Sequence, residues 1–318
     1  MATWGGGSFT VKVLVTGGAG FIGSHVCDAF ARGGHEVIAL DNLSSGKKEN
    51  LDPRVRLEVM DIRSPEASQL VRFEKPQVMC HLAAQMDVRR SVEDPRFDAE
   101  ANILGFLNLL EAARAAGVQK VVFSSTGGAI YGEQDVFPAP ETHATRPVSP
   151  YGVSKASGEL YLGYYKAQYG LKYVALRYAN VYGPRQNPHG EAGVVSIFCQ
   201  RLLSGRECTI YGEGKQTRDF VYVEDVARAN QLAVEKDYSG AINVGTGVET
   251  DINRLYTLLA EASGSGKPAT RAPGRPGEQM RSCVDNALAR KVLGWQPTVE
   301  LSEGLRRTVD YFRQHVPR

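Results

Sequence analysis

The chain has 318 residues, 37 of them basic and 35 acidic, for a formal net charge of +2, and 42% are hydrophobic. That length supports one large α/β domain or two coupled ones, and the mixed, nearly balanced charge offers no footprint for nucleic acid or an anionic membrane. Cys27, Cys80, Cys199, Cys208 and Cys283 lack metal-ligand spacing and read as free, mostly buried thiols; MATWGGGSFT has no leader character and no segment reaches bilayer length, so a soluble cytoplasmic protein without a metal is expected.

The first predicted element is a buried parallel strand at Val11 to Val15, followed by Gly17, Gly18, Gly20 and Gly23 and then by a helical pattern carrying Phe21, Ile22, Val26 and Phe30. The glycines permit a tight turn that aims the free N–H groups of the helix, those of Phe21 and Ile22 among them, at a diphosphate. A second strand, Glu36 to Leu40, ends at Asp41, where an acid suits a ribose 2′-hydroxyl and repels a 2′-phosphate. The combination predicts a dinucleotide site and favours NAD over NADP. Asn42, Ser44 and Gly46 form a polar loop able to wrap the adenosine end. A third strand, Val55 to Val59, leads into Asp61 and Ile62; Asp61 suits either the adenine amino group or a helix cap.

The next strand, Val78 to Leu82, ends in Ala83, Ala84 and Gln85, small side chains that leave room for a ligand at the sheet edge. One long helix is predicted over Phe97 to Ala116. It carries Asn102, a polar surface residue when read alone and a candidate cofactor contact in this setting. The strand Lys120 to Ser124 delivers Ser124, Ser125 and Thr126 to the same edge.

A proline-rich loop then gives way to a helix opening at Tyr151 and running to about Tyr169. Residues four apart on a helix are neighbours, so the Lys155 ammonium can favour the Tyr151 phenolate and make it a usable base. A glycine turn, a hydroxyl cluster and Tyr-x-x-x-Lys in one βαβ series can bind a cofactor and take an alcohol proton beside it.

With these residues the chain resembles the extended short-chain dehydrogenase/reductases of the nucleotide-sugar epimerase and dehydratase group, and within it the UDP-glucose 4-epimerases. The likeness covers nearly the whole chain. It includes Leu176 to Arg185, the family's segment between cofactor and sugar, which implies Tyr178 and Val181 at the cofactor and Asn180 at the sugar nucleotide. It also includes Arg218 to Asp225, Arg275 to Glu278, and the ending Leu293 to Pro297. Arg218 and Arg275 are implied at the diphosphate, Glu278 at a ribose, Ile210 and Tyr211 at the uracil, and Val194 and Val195 on the substrate side.

The resemblance implies transient oxidation at sugar C4. Tyr151 takes the 4-hydroxyl proton as hydride passes to the nicotinamide of NAD, Thr126 hydrogen-bonds the same oxygen, Lys155 holds the nicotinamide ribose, and the 4-keto sugar turns over before hydride returns. The loop Gly127 to Gly132 is one residue longer than in many relatives, so Ser125 remains an alternative to Thr126. Dehydratases of the group place an Asp-Glu pair after their Thr and decarboxylases a Glu; here those places hold glycine and alanine. Ser282 falls where narrow epimerases carry a tyrosine, so UDP-N-acetylhexosamines are expected as additional substrates. A 4-epimerase of UDP-glucuronate or UDP-pentose, a dehydratase, and a non-catalytic dinucleotide sensor stay open. The expected fold is a doubly wound parallel sheet over residues 1–180, with one or both of the strands at Phe220 to Val223 and Ala241 to Val244 returning to it. A smaller substrate domain occupies 181–318, and a homodimer paired through the helices at Phe97 to Ala116 and Tyr151 to Tyr169 is expected.

Overall fold

A computed structural model of the chain describes residues 10–188, 193–274 and 279–315. In chain order the first half comprises β1 (Lys12–Thr16), α1 (Phe21–Arg32), β2 (Glu36–Asp41), β3 (Arg56–Val59), α2 (Pro65–Glu74), β4 (Val78–His81), α3 (Val88–Glu93), α4 (Pro95–Ala99), α5 (Gly105–Ala116), β5 (Lys120–Thr126), α6 (Gly127–Tyr131) and α7 (Pro150–Tyr169). There follow β6 (Lys172–Tyr178), β7 (Asn180–Tyr182), α8 (Val194–Leu203), β8 (Thr209–Tyr211), β9 (Thr217–Tyr222), α9 (Val223–Glu235), β10 (Gly240–Val244), β11 (Glu249–Asp251), α10 (Ile252–Ser263), β12 (Thr270–Ala272), α11 (Ala287–Leu293) and α12 (Leu301–His315).

Seven parallel strands form the main sheet in the order β10-β6-β5-β4-β1-β2-β3. Side chains alternate across each strand: Val13 and Val15 of β1 enter the core under α1 and α9, whereas Leu14 enters the one under α2, α5 and α7. Covered on both faces, the strands read as continuous apolar runs. The order reverses between β1 and β4, so the crevice at the carboxyl ends of these two strands is the topological switch point.

Of the two later segments expected as strands, β10 pairs with β6 at the edge of the main sheet, while β9 lies between β11 and β7 in a separate three-stranded sheet. The β9 face packs instead into a third core with α8, α10 and α12, built on residues such as Phe198, Phe220, Leu255 and Leu305. The helix expected over Phe97 to Ala116 is present but not uniform. It is α4 and α5 joined by a π-helical stretch, Glu100–Leu104, whose extra residue per turn shifts the buried face and carries Asn102 inward. Among the described residues no helix is long and apolar enough to cross a membrane, and no group of three His, Cys, Asp or Glu is placed to hold a metal. All five cysteines are unpaired and buried.

Candidate active site

The glycine turn after β1 is shaped by close approach. Gly17 has φ of +68°, and a Cβ there would lie 2.7 Å from the Ala83 nitrogen; a Cβ on Gly23 would lie 2.0 Å from the Gly17 oxygen. The turn therefore seats α1 directly against β1 and the end of β4. Gly20 caps α1 with no side-chain hydrogen bond, so the first-turn N–H groups, including those of Phe21 and Ile22, are left for an anion. The buried Asp41 carboxylate accepts from the Ala19 N–H at 3.0 Å and the Leu43 N–H at 2.8 Å, which fixes it beside the turn. An uncapped helix end next to a held carboxylate suits the diphosphate and ribose of a dinucleotide.

Around the adenosine loop, Asn42 donates to Asp61 at 3.2 Å and its side-chain oxygen accepts from Ser44 N–H at 3.0 Å. Asp61 caps no helix. Ser64 caps α2, while Asp61 takes a two-pronged bond from Arg63, at 2.9 and 2.8 Å, whose guanidinium holds it well below the usual carboxylate range. The Ile62 side chain is buried in the core, 2.9 Å from where a Gly105 Cβ would stand, leaving only its backbone toward the loop. Gly46 closes the loop over Asp41, whose oxygens would lie 2.9 Å from an added Cβ.

At the end of β4, the Thr16 hydroxyl accepts from the N–H groups of Leu82 and Ala83, both at 3.2 Å, and meets His81 Nδ1 at 2.9 Å. Burial pushes His81 down to about 3, with Lys155 adding to the shift, so the ring is neutral at ordinary pH. Beyond Ala84, the Gln85 backbone is gripped by Asn102, which is only 4% exposed and not a surface residue.

The Tyr151 helix starts where local chemistry dictates: Pro150 occupies its first turn and the Ser149 hydroxyl caps the Gly152 N–H at 3.1 Å. An added Cβ on Gly152 would meet the Ala129 oxygen at 2.7 Å, so Tyr151 is held against the short helix α6, whose cap is Thr126. Lys155 is buried and donates to the Ser124 oxygen at 2.8 Å; its Nζ lies 5.8 Å from the Tyr151 ring centre and 5.0 Å from that of Phe123. Burial lowers it to about 8, against the opposing charge of Asp98. The hydroxyls at the end of β5 diverge: Ser125 donates to Glu159 at 2.6 Å, while Thr126 accepts from Ala129 N–H at 3.2 Å at the mouth of the turn. Glu159 is already paired with Arg177, so Ser125 belongs to that buried network, whereas Thr126 caps the short helix α6.

On the opposite side, Asn180 is exposed and Val181 half-buried on β7. The Tyr178 hydroxyl is engaged with Asn230, at 2.9 Å from its amide nitrogen, and buried in the core. Val195 and Ile210 likewise place their side chains in the third core, whereas Val194 and Tyr211 are half-buried. Arg218, on β9, donates to the Thr217 oxygen at 2.7 Å; its neighbour Asp219 does not form the local ion pair its position allows but turns to Thr246 and Gly247. Ser282 is buried, and its Oγ is 3.8 Å from where a Gly128 Cβ would be, which places it at α6, the short helix that stands where a loop is expected after Thr126. Arg275 and Glu278 lie outside the described residues.

Residues 13–245 match the model of the NAD dependent epimerase/dehydratase family. The chain belongs to that family. It is 47% identical over 309 residues to a UDP-glucose 4-epimerase of Mycolicibacterium smegmatis, covering 95% of this chain and 99% of that one. Among solved structures, the UDP-glucose 4-epimerase of Thermotoga maritima with UDP-glucose superposes with a TM-score of 0.94 at 51% identity, covering 96% of this chain and all of that one. The UDP-glucose 4-epimerase of Thermus thermophilus in complex with NAD gives 0.90 at 49% identity, with the same coverage. Family membership accounts for the sheet order and the glycine turn together. Two polar residues of this family member were not singled out from sequence, Asp98 and Ser154; the signal available was a carboxylate four residues before Asn102 and a hydroxyl between Tyr151 and Lys155, both interrupting apolar helical patterns.

Proposed function

We propose that this family member is a UDP-glucose/UDP-galactose 4-epimerase. The observation that carries the reading is the opening of α7, the helix of Tyr151 and Lys155, which packs against the short helix α6, capped by Thr126 and beginning Gly127, Gly128 and Ala129. A base and a hydroxyl are present, and no acid follows the hydroxyl to expel water from a neighbouring carbon. That set of side chains moves a proton at one sugar oxygen and leaves the rest of the sugar intact.

NAD would be held by the N–H groups of the Gly17 to Gly23 turn, by Asp41 at a ribose and by Lys155 at the other ribose, and when bound it supplies hydride transfer at sugar C4. Tyr151 takes the 4-hydroxyl proton and returns it after the sugar has turned about its diphosphate link; Thr126 orients that oxygen. Lys155 favours the phenolate by its charge. Arg218, with Arg275 and Glu278, would anchor the UDP. Asn180 would reach the sugar nucleotide, and Ser282 would leave space at the sugar 2-position for an N-acetyl group. The dinucleotide thus falls to residues 1–180 with β10, and the UDP-sugar mainly to 181–318.

We further propose a cytoplasmic homodimer serving galactose metabolism. Leu160, 77% exposed, lines one face of α7 with Tyr161, Tyr164 and Tyr169, a stripe suited to a second copy, and five unpaired thiols suit a reducing compartment. The test is a panel of UDP-sugars with chromatography of the products. Interconversion of UDP-glucose and UDP-galactose is expected; conversion confined to UDP-glucuronate or UDP-pentoses, or release of a dehydrated sugar, would replace this reading.

A further inference from the structure

Asp98 sits on α4, far from the glycine turn in sequence, yet three side-chain donors hold its carboxylate, one of them on Ser154 beside Lys155. It is fully buried. Its Oδ1 accepts from the Asn102 amide at 2.9 Å and from the Gln85 amide at 3.1 Å, and its Oδ2 accepts from the Ser154 hydroxyl at 2.6 Å. These three donors come from the π-helical stretch, from the loop after β4 and from α7. Each belongs to or adjoins a residue of the candidate site. These donors replace the water that burial strips from the carboxylate, and its charge acts on the buried Lys155 ammonium.

We infer that Asp98 is a positioning residue: its carboxylate holds the Tyr151–Lys155 helix, the Gln85 loop and Asn102 in one register and keeps a negative charge behind the Lys155 ammonium. This rests on the functional reading above and deepens it. Lys155 is faced by Asp98 from α4, by the neutral His81 from β4 and by Tyr151 on its own helix, while β5 offers only the Phe123 ring and the Ser124 oxygen. Among these groups Asp98 is the one standing anion, so it opposes the loss of the Lys155 proton that burial promotes. With the proton gone, Tyr151 loses the charge that favours its phenolate.

The test is Asp98→Asn, which keeps the shape and an accepting oxygen but removes the charge. The alkaline limb of kcat is expected to move down by about one pH unit, with about fivefold lower kcat at pH 8 and a KM for UDP-galactose within about twofold. Ser154→Ala, which keeps the charge and loses one bond, should leave that limb in place while lowering kcat about threefold or more and reducing the NAD retained on purification. An unmoved limb and unchanged kcat in folded Asp98→Asn overturns the inference. If that variant does not fold, wild-type kcat and NAD content in Ser154→Ala overturn it, and the expected losses uphold the positioning role. Wild-type protein that converts no UDP-sugar sinks the functional reading instead, so the two failures are distinct.

Discussion

Asn102 holds the Gln85 backbone at both of its polar groups: its Nδ2 donates to the Gln85 oxygen at 2.8 Å and its Oδ1 accepts from the Gln85 N–H at 2.8 Å. A half-buried loop at the switch point is thereby fixed by one side chain that a π-helical turn directs inward. Asn102→Ala leaves both backbone groups without that partner, at a cost of about 1–3 kcal/mol. Thermal denaturation should show the loss, and absorbance of the purified protein should show less bound NAD. A variant with wild-type melting and full NAD would show that the clamp is dispensable.

Tyr151→Phe keeps the ring and removes the hydroxyl. It should lower kcat for UDP-galactose by about 10²–10⁴-fold while NAD stays bound. Turnover at the wild-type rate would remove Tyr151 as the base.

Gly23→Ala puts a methyl group 2.0 Å from the Gly17 oxygen, inside any permissible contact. The helix must retreat from the turn, at a cost of about 1–3 kcal/mol or more. Low melting temperature together with loss of copurified NAD is expected. Full NAD content with an unchanged melt would mean that the turn tolerates the shift.

Two buried histidines make stability depend on pH. Burial, then the Arg185 charge, brings His25 down to about 4, and burial, then Lys155, brings His81 down to about 3. In the unfolded chain both take up protons near pH 6.5. Between about 6.5 and 4 the unfolded state therefore binds more protons, and stability falls as the pH falls. Urea melts at pH 7 and pH 5 should show this, with a smaller loss in His25→Gln; equal slopes for both proteins would rule out His25 as a source.

Ser282 is small, buried and next to Gly128, so a tyrosine there fills the space assigned to a 2-acetamido group. Ser282→Tyr should cut turnover of UDP-GlcNAc about tenfold or more while sparing UDP-glucose. No activity of the wild type on UDP-GlcNAc, together with unchanged specificity in the variant, would defeat the assignment.

By itself the sequence determined whatever is decided within a few residues. The apolar run at Val13 to Val15, the glycine spacing after it, the acid ending β2 and the Ser149-Pro150 start before Tyr151 are matters of local sterics, capping and period, and they locate the dinucleotide turn and the Tyr/Lys pair. The tertiary structure alone decided which strands pair and which polar side chains are buried. β9 and β10 have similar apolar patterns, and only the cores available to them sent one to a small sheet and the other to the edge of the large one. Read alone, Asn102 suggests a surface residue, because the backbone it holds lies 17 residues away at Gln85. Asp98 offers only its spacing from Asn102, because its partner Ser154 is 56 residues away. A buried polar group is stable only when distant donors converge on it, and that convergence exists only once the chain has folded.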